Sequence, residues 1–204
     1  MKRVLSFILA LTMTLTLCAC GSGSGKLSPY LMDFQFGAGE DATEKTILDL
    51  EKNDTFTVNG IEFSSVSADY SDGYMSGIQY TADDVITLGG CATSSDNPNI
   101  DVDISLAETT VSDLVEKYNQ AYAILVKSFG KPDKGNTAEQ LLTQEDFEMY
   151  YTSNDVSALW YYDGHTIILK AEGTYSQPIT DYALVSYFRY LIPTLTLSIT
   201  DHLE

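Results

Sequence analysis

The spacing of apolar side chains changes period three times along this chain, and each period predicts a different element. Phe56-Thr57-Val58 and Ile61-Glu62-Phe63 alternate apolar with polar positions on either side of Asn59-Gly60. Period two is the pattern of a half-buried strand, and Asn-Gly supplies the two positive φ angles of a tight hairpin turn. A second strand pair, Ile61–Asp69 with Tyr74–Thr81, is expected around Asp72-Gly73. Val85–Leu88 and Ile100–Leu106 read as two further strands. Upstream, Asp41–Lys52 reads as a short helix with Ile47, Leu48 and Leu50 on its apolar side.

The period then becomes helical. Val111, Leu114, Val115, Tyr118, Ala121, Tyr122, Leu125, Val126 and Phe129 recur at three- and four-residue steps, forming one stripe along a helix of about five turns. Thr110 to Asp113 fits a capping box at its start. Gly130 suits the left-handed position after its end, and Pro132 prevents continuation. Thr137–Tyr150 is expected to form a weaker second helix with Leu141, Leu142 and Phe147 inside. After it, Ala158–Tyr162 and Thr166–Ala171 flank Asp163-Gly164 as another hairpin. Tyr182–Leu191 fits a strand or a helix, Pro193 falls in a turn, and Leu195, Leu197 and Ile199 mark a last strand. Strands, then helices, then strands predict an α+β fold: mainly antiparallel sheet packed against the helix at about 111–129 and the weaker second one.

The first twenty residues follow a different logic. Lys2 and Arg3 precede Val4–Leu17, an uncharged, mostly apolar run of 14 residues. A helix needs about 20 residues to cross a bilayer, so this run reads as a signal-peptide core. It ends in Leu17-Cys18-Ala19-Cys20-Gly21, which resembles the lipobox of bacterial lipoproteins. That resemblance implies cleavage before Cys20, acylation of its thiol, and a protein lipid-anchored on the extracytoplasmic face of the cell membrane. The expected layout is a signal peptide at 1–19, a lipidated Cys20 with a flexible tether to residue 40, and a single domain at 41–204, or two meander halves at 54–107 and 109–204. The helix ending in Phe129-Gly130-Lys131-Pro132-Asp133, followed by Leu159-Trp160-Tyr161-Tyr162, is also similar to small envelope lipoproteins of the SmpA/OmlA type. The same helix-then-sheet layout resembles secreted β-lactamase-inhibitor proteins. Both resemblances imply binding of other proteins without catalysis.

Composition narrows the field. Eleven Lys and Arg stand against 29 Asp and Glu, a formal charge of -18. Phosphate backbones are held by clustered cations, so nucleic acid is not expected as a partner. Loss of residues 1–19 removes two positive charges and no acid, taking the chain to -20. Such a body is repelled by anionic headgroups and is expected to stand off the membrane. With Cys18 lost and Cys20 acylated, Cys91 has no disulfide partner and reads as a buried small hydrophobe.

Candidate chemistry is sparse. Asn97, Asn99, Asp101, Asp103 and Glu108 have the oxygen spacing of a twelve-residue calcium loop, but Val102 occupies the position where such a loop turns on glycine. A strand with one wet face accounts for the same residues, so no metal is expected there. Other carboxylates pair as Asp69 with Asp72 and Asp83 with Asp84, or group as Glu145, Asp146 and Glu148. The only imidazoles are His165 and His202, and no Gly-x-Ser-x-Gly elbow is present. No catalytic residue is assigned and no cofactor is expected. Tyr150, Tyr151, Trp160, Tyr161 and Tyr162 form an aromatic cluster suited to recognition, because such rings supply large contact area at small entropic cost. Binding of an envelope protein or glycan is the expected function. A small envelope hydrolase is the first alternative, and a solute-binding component of a transporter is the second.

Overall fold

A computed structural model describes residues 25–92, 102–143, 145–146, 151–181 and 186–201. In chain order the elements are α1 (Ser28–Leu31), α2 (Glu40–Leu50), β1 (Phe56–Val58), β2 (Ile61–Phe63), β3 (Ser65–Ser71), β4 (Tyr74–Asp83), β5 (Ile86–Ala92), α3 (Ile104–Phe129), β6 (Thr152–Tyr162), β7 (His165–Asp181) and β8 (Ser186–Asp201). The fold is α+β. A six-stranded antiparallel sheet runs β3-β4-β8-β7-β6, with β5 also on β8, and β1-β2 form a separate hairpin.

The three Asx-Gly dipeptides make the turns that their chemistry predicts. Asn59-Gly60, Asp72-Gly73 and Asp163-Gly164 all have positive φ at both positions, which matches the strand twist on either side. Once the strands pair in register, side chains of equal phase line up across the sheet. Val66, Tyr80, Leu197, Leu169 and Ala158 form one row, and Ala68, Ile78, Ile199, Ile167 and Trp160 the next. These rows face α3, whose buried residues Ala107, Val111, Leu114, Tyr118, Ala121 and Leu125 step by four and three. Burying each such aliphatic side chain contributes roughly 1.5–3 kcal/mol. On the β3–β4 side, Phe56 and Phe63 of the small hairpin close over Tyr80 with ring centroids 6.1 and 5.6 Å away, and Phe34 joins them. Both meanders therefore feed one apolar core.

Several expected boundaries move, each for a tertiary reason. The stretch 104–106, expected to end a strand, is the first turn of α3, since Ala107 extends the buried stripe one turn upstream of Val111. Asp103 is the N-cap, its Oδ1 accepting from Leu106 N–H at 2.9 Å. Thr110 lies inside the helix and donates its hydroxyl to the Leu106 carbonyl rather than opening a capping box. Within Thr137–Tyr150, residues 137–143 are not helical. Asn119 holds them on α3 like a strand partner, donating from Nδ2 to the Ala138 carbonyl and accepting Ala138 N–H at Oδ1, both at 2.9 Å. Leu141 and Leu142 are buried from an irregular backbone. Residues 27–36, assigned to the tether, join the core through Leu27, Tyr30, Leu31 and Phe34. Tyr30 packs 5.1 Å from Phe129 and shares a 2.7 Å hydrogen bond with Ser128.

Pro193 lies within β8 rather than in a turn. Opposite it the sheet changes partner, from β4 ending at Asp83 to β5 starting at Ile86, so its missing N–H falls at a gap in pairing. The described part of 182–191, from Ser186, is strand. Removal of the α3 cap by Asp103→Ala is expected to cost about 1 kcal/mol. A urea melt should show a lower midpoint with an unchanged slope, and an unchanged midpoint would mean that the helix starts elsewhere.

Candidate functional site

A concavity follows from that partner change on β8. Where β4 stops at Asp83 and β5 starts at Ile86, Asp84 and Val85 leave the strands, and the β1-β2 hairpin stands opposite the middle of α3. Between them opens a cleft of about 610 Å³, within the roughly 300–1,000 Å³ typical of ligand sites. Its walls are apolar, with Ile61 and Phe63 from β2, Leu114, Ala121 and Ile124 from α3, and Pro193 and Leu195 from β8. Its rim is charged. Glu62, Asp83, Asp84 and Asp113 supply four exposed carboxylates against one amine, Lys117, with Thr110, Ser64 and Gln120 as neutral polar groups. Part of this rim is preset: Asp84 Oδ1 accepts Val85 N–H at 2.7 Å, and the Ser64 hydroxyl points to Asp83 at 3.5 Å.

A second assembly lies at the C-terminal end of α3. Gly130 caps the helix with φ 86°, and its carbonyl accepts the indole N–H of Trp160 at 2.9 Å. Asp133 and Lys134 then pair with Leu159 on the outer edge of β6, and Asp133 Oδ2 accepts Tyr161 N–H at 2.8 Å. Tyr162 packs on Phe129 at 5.0 Å, and Lys26 Nζ lies 5.7 Å from its ring centre. His165, directly after the turn, stacks on Phe36 at 4.9 Å. Its Nδ1 is 3.3 Å from Asp201 Oδ1.

The sheet face away from α3 carries Lys170 between Asp155 and Glu172. The hydrogen bond from Lys170 lowers the Glu172 carboxyl below its ordinary value and raises the amine above its own. Burial pushes Tyr118 up to about 12, with its hydroxyl donating to the Asn136 carbonyl at 3.0 Å.

The structure divides the sequence-predicted aromatic cluster. Trp160 is 1% exposed and belongs to the core, because it shares a row with Ile167 and Ile199 beneath α3. Tyr151 and Tyr161 are exposed, Tyr162 is half-buried, and Tyr150 lies outside the described residues. In the calcium-loop candidate, Asp103 is a helix cap and Glu108 sits on the exposed face of α3, while Asn97, Asn99 and Asp101 lie outside the described residues. His202 and Cys20 also lie outside them, and so does the side chain of Cys91, whose backbone is in β5. Among the described residues no helix is long and apolar enough to cross a membrane.

The cleft itself was not legible in the sequence. Its residues come from segments more than a hundred positions apart, and only the pair Asp83-Asp84 stood out. Compared with models of known families, with curated proteins and with solved structures, the chain matches none.

Proposed function

We propose that this chain is a lipid-anchored, extracytoplasmic binding protein whose α3 cleft holds a basic, partly apolar segment of another envelope protein. The lipobox-like Leu17-Cys18-Ala19-Cys20 supports the location, and the cleft supports the binding. The carrying observation is the pairing of apolar walls with a rim of four carboxylates and one amine. An apolar floor gains from any buried hydrocarbon, whereas the rim selects the sign of what accompanies it. Complementary charges at a rim act mainly on encounter rate and on the rejection of wrong partners. The exposed tyrosines 151 and 161 offer the competing surface, and they suit a neutral glycan better than the carboxylate rim does.

Placing a photo-crosslinking residue at Gln120 or at Tyr151 of the full chain, in its own envelope, separates these readings. A product from position 120 that falls about tenfold in Asp83→Asn/Asp84→Asn/Asp113→Asn, and weakens with salt, is expected. A product from 151 alone would move recognition to the tyrosines. Incorporation of a fatty-acid analogue is expected in the parent chain and absent in Cys20→Ser, and equal labelling of the two would remove the anchor.

A further inference from the structure

The end of the molecule that receives the tether gathers lysines, although the chain as a whole is strongly acidic. Nine Lys and Arg follow residue 20, and four of them, Lys26, Lys127, Lys131 and Lys134, gather around the C-terminal end of α3. Lys127 is in the last turn of the helix, Lys131 directly follows its Gly130 cap, Lys134 pairs with Leu159 on the β6 edge, and Lys26 stands over Tyr162. All four are exposed, and among the described residues none belongs to an ion pair. Tyr161, 56% exposed, and the half-buried Tyr162 lie among them. Carboxylates share this end: Asp133 accepts the Tyr161 N–H, Asp201 lies beside His165, Asp163 is in the turn, and Asp33 lies between Tyr30 on Ser128 and Phe36 on His165. The acidic cleft rim, by contrast, borders the second to fourth turns of α3, at Thr110, Asp113 and Lys117.

We propose that this lysine-tyrosine end docks on the anionic headgroups of the bilayer that holds the lipid, and that the cleft is thereby turned outward. The proposal rests on the reading of Cys20 as the anchored residue. From Cys20 to Lys26 the chain reaches at most about 20 Å, roughly half the length of α3 at about 39 Å. The tether therefore keeps the lysine end close to the surface at all times. Repulsion of the acidic body and attraction of the unpaired lysines then act together, so that the -20 charge orients the domain instead of merely holding it away. Each lysine at an anionic surface contributes about fivefold in partitioning, and tyrosine rings settle at the headgroup level.

The test is lysine footprinting of the full chain, purified with its native N-terminus and reconstituted into vesicles. Phosphatidylcholine mixed with phosphatidylglycerol is compared with phosphatidylcholine alone, using a water-soluble amine reagent and peptide mass spectrometry. Lys26, Lys127, Lys131 and Lys134 are expected to label at least about threefold more slowly on the anionic vesicles, with Lys45, Lys52 and Lys117 unchanged. In Lys127→Gln/Lys131→Gln/Lys134→Gln, whose replacements are all at exposed positions, Lys26 should regain its rate. An acylated Cys20 with equal labelling on both vesicles overturns the docking and leaves the anchor intact. An N-terminal peptide carrying no acyl group overturns the anchor and the docking with it.

Discussion

Trp160→Ala is expected to destabilise the domain by about 4 kcal/mol and to lower its melting temperature by about 10 °C or more. The indole is the largest side chain in the core, 1% exposed, in one row with Ile167 and Ile199 and 5.8 Å from the Tyr122 ring. Truncation leaves a cavity beneath α3 and also strands the Gly130 carbonyl that the indole N–H satisfies. Trp160→Phe separates the two contributions. It retains most of the ring volume, loses the hydrogen bond, and is expected to cost about 1–2 kcal/mol. Urea midpoints of the two variants measure the difference. A Trp160→Ala protein melting with the parent would return this ring to the surface, where its neighbour Tyr161 already lies.

The second large effect is expected at Gly135, where Gly135→Ala should cost about 3 kcal/mol. A Cβ there would lie 2.1 Å from the Ser157 carbonyl oxygen and 2.7 Å from Ala158 Cα, and both obstacles are backbone. The residue also has φ +87°, a conformation that L side chains adopt at a cost. Gly37→Ala is the matched control, since it has φ +78° with nothing within 4 Å of its Cβ. It carries the conformational cost without the collision, about 1 kcal/mol. Amide exchange localises the damage, because the bonds from Asp133 and Lys134 to Leu159 and back should open first in Gly135→Ala. Equal stability of the two glycine variants would mean that this segment does not lie against β6.

Local chemistry was legible where short-range forces decide the structure. The three Asx-Gly turns, the stripe from Val111 to Phe129 and the helix over residues 41–50 all follow from φ preference and spacing within a few residues. The failures share one cause. Alternation of Ile100, Val102, Ile104 and Leu106 looked like a strand, yet Ala107 and Asp103 recruit 104–106 into α3, because a longer stripe buries more against β5 and β7. Residues 137–143 had helical spacing, but the Asn119 amide offers their backbone a better partner than their own next turn. Tyr30 and Phe34 looked like parts of a tether because their partners, Phe129 and Ser128 for the first and Tyr80 for the second, are 46 or more positions away.

The sequence by itself determined the α+β class, the hairpin turns, the amphipathic helix and the excess of negative charge, all of which depend on neighbouring residues or on totals. The tertiary structure alone decided that Trp160 is core while Tyr161 is surface, that Pro193 sits at a change of strand partner, that carboxylates from β2, β4 and α3 meet over one cleft, and that four lysines share one end. Those outcomes depend on which distant segments become neighbours, and chain separation along the sequence carries no such information until the sheet rows and the helix stripe have closed on each other.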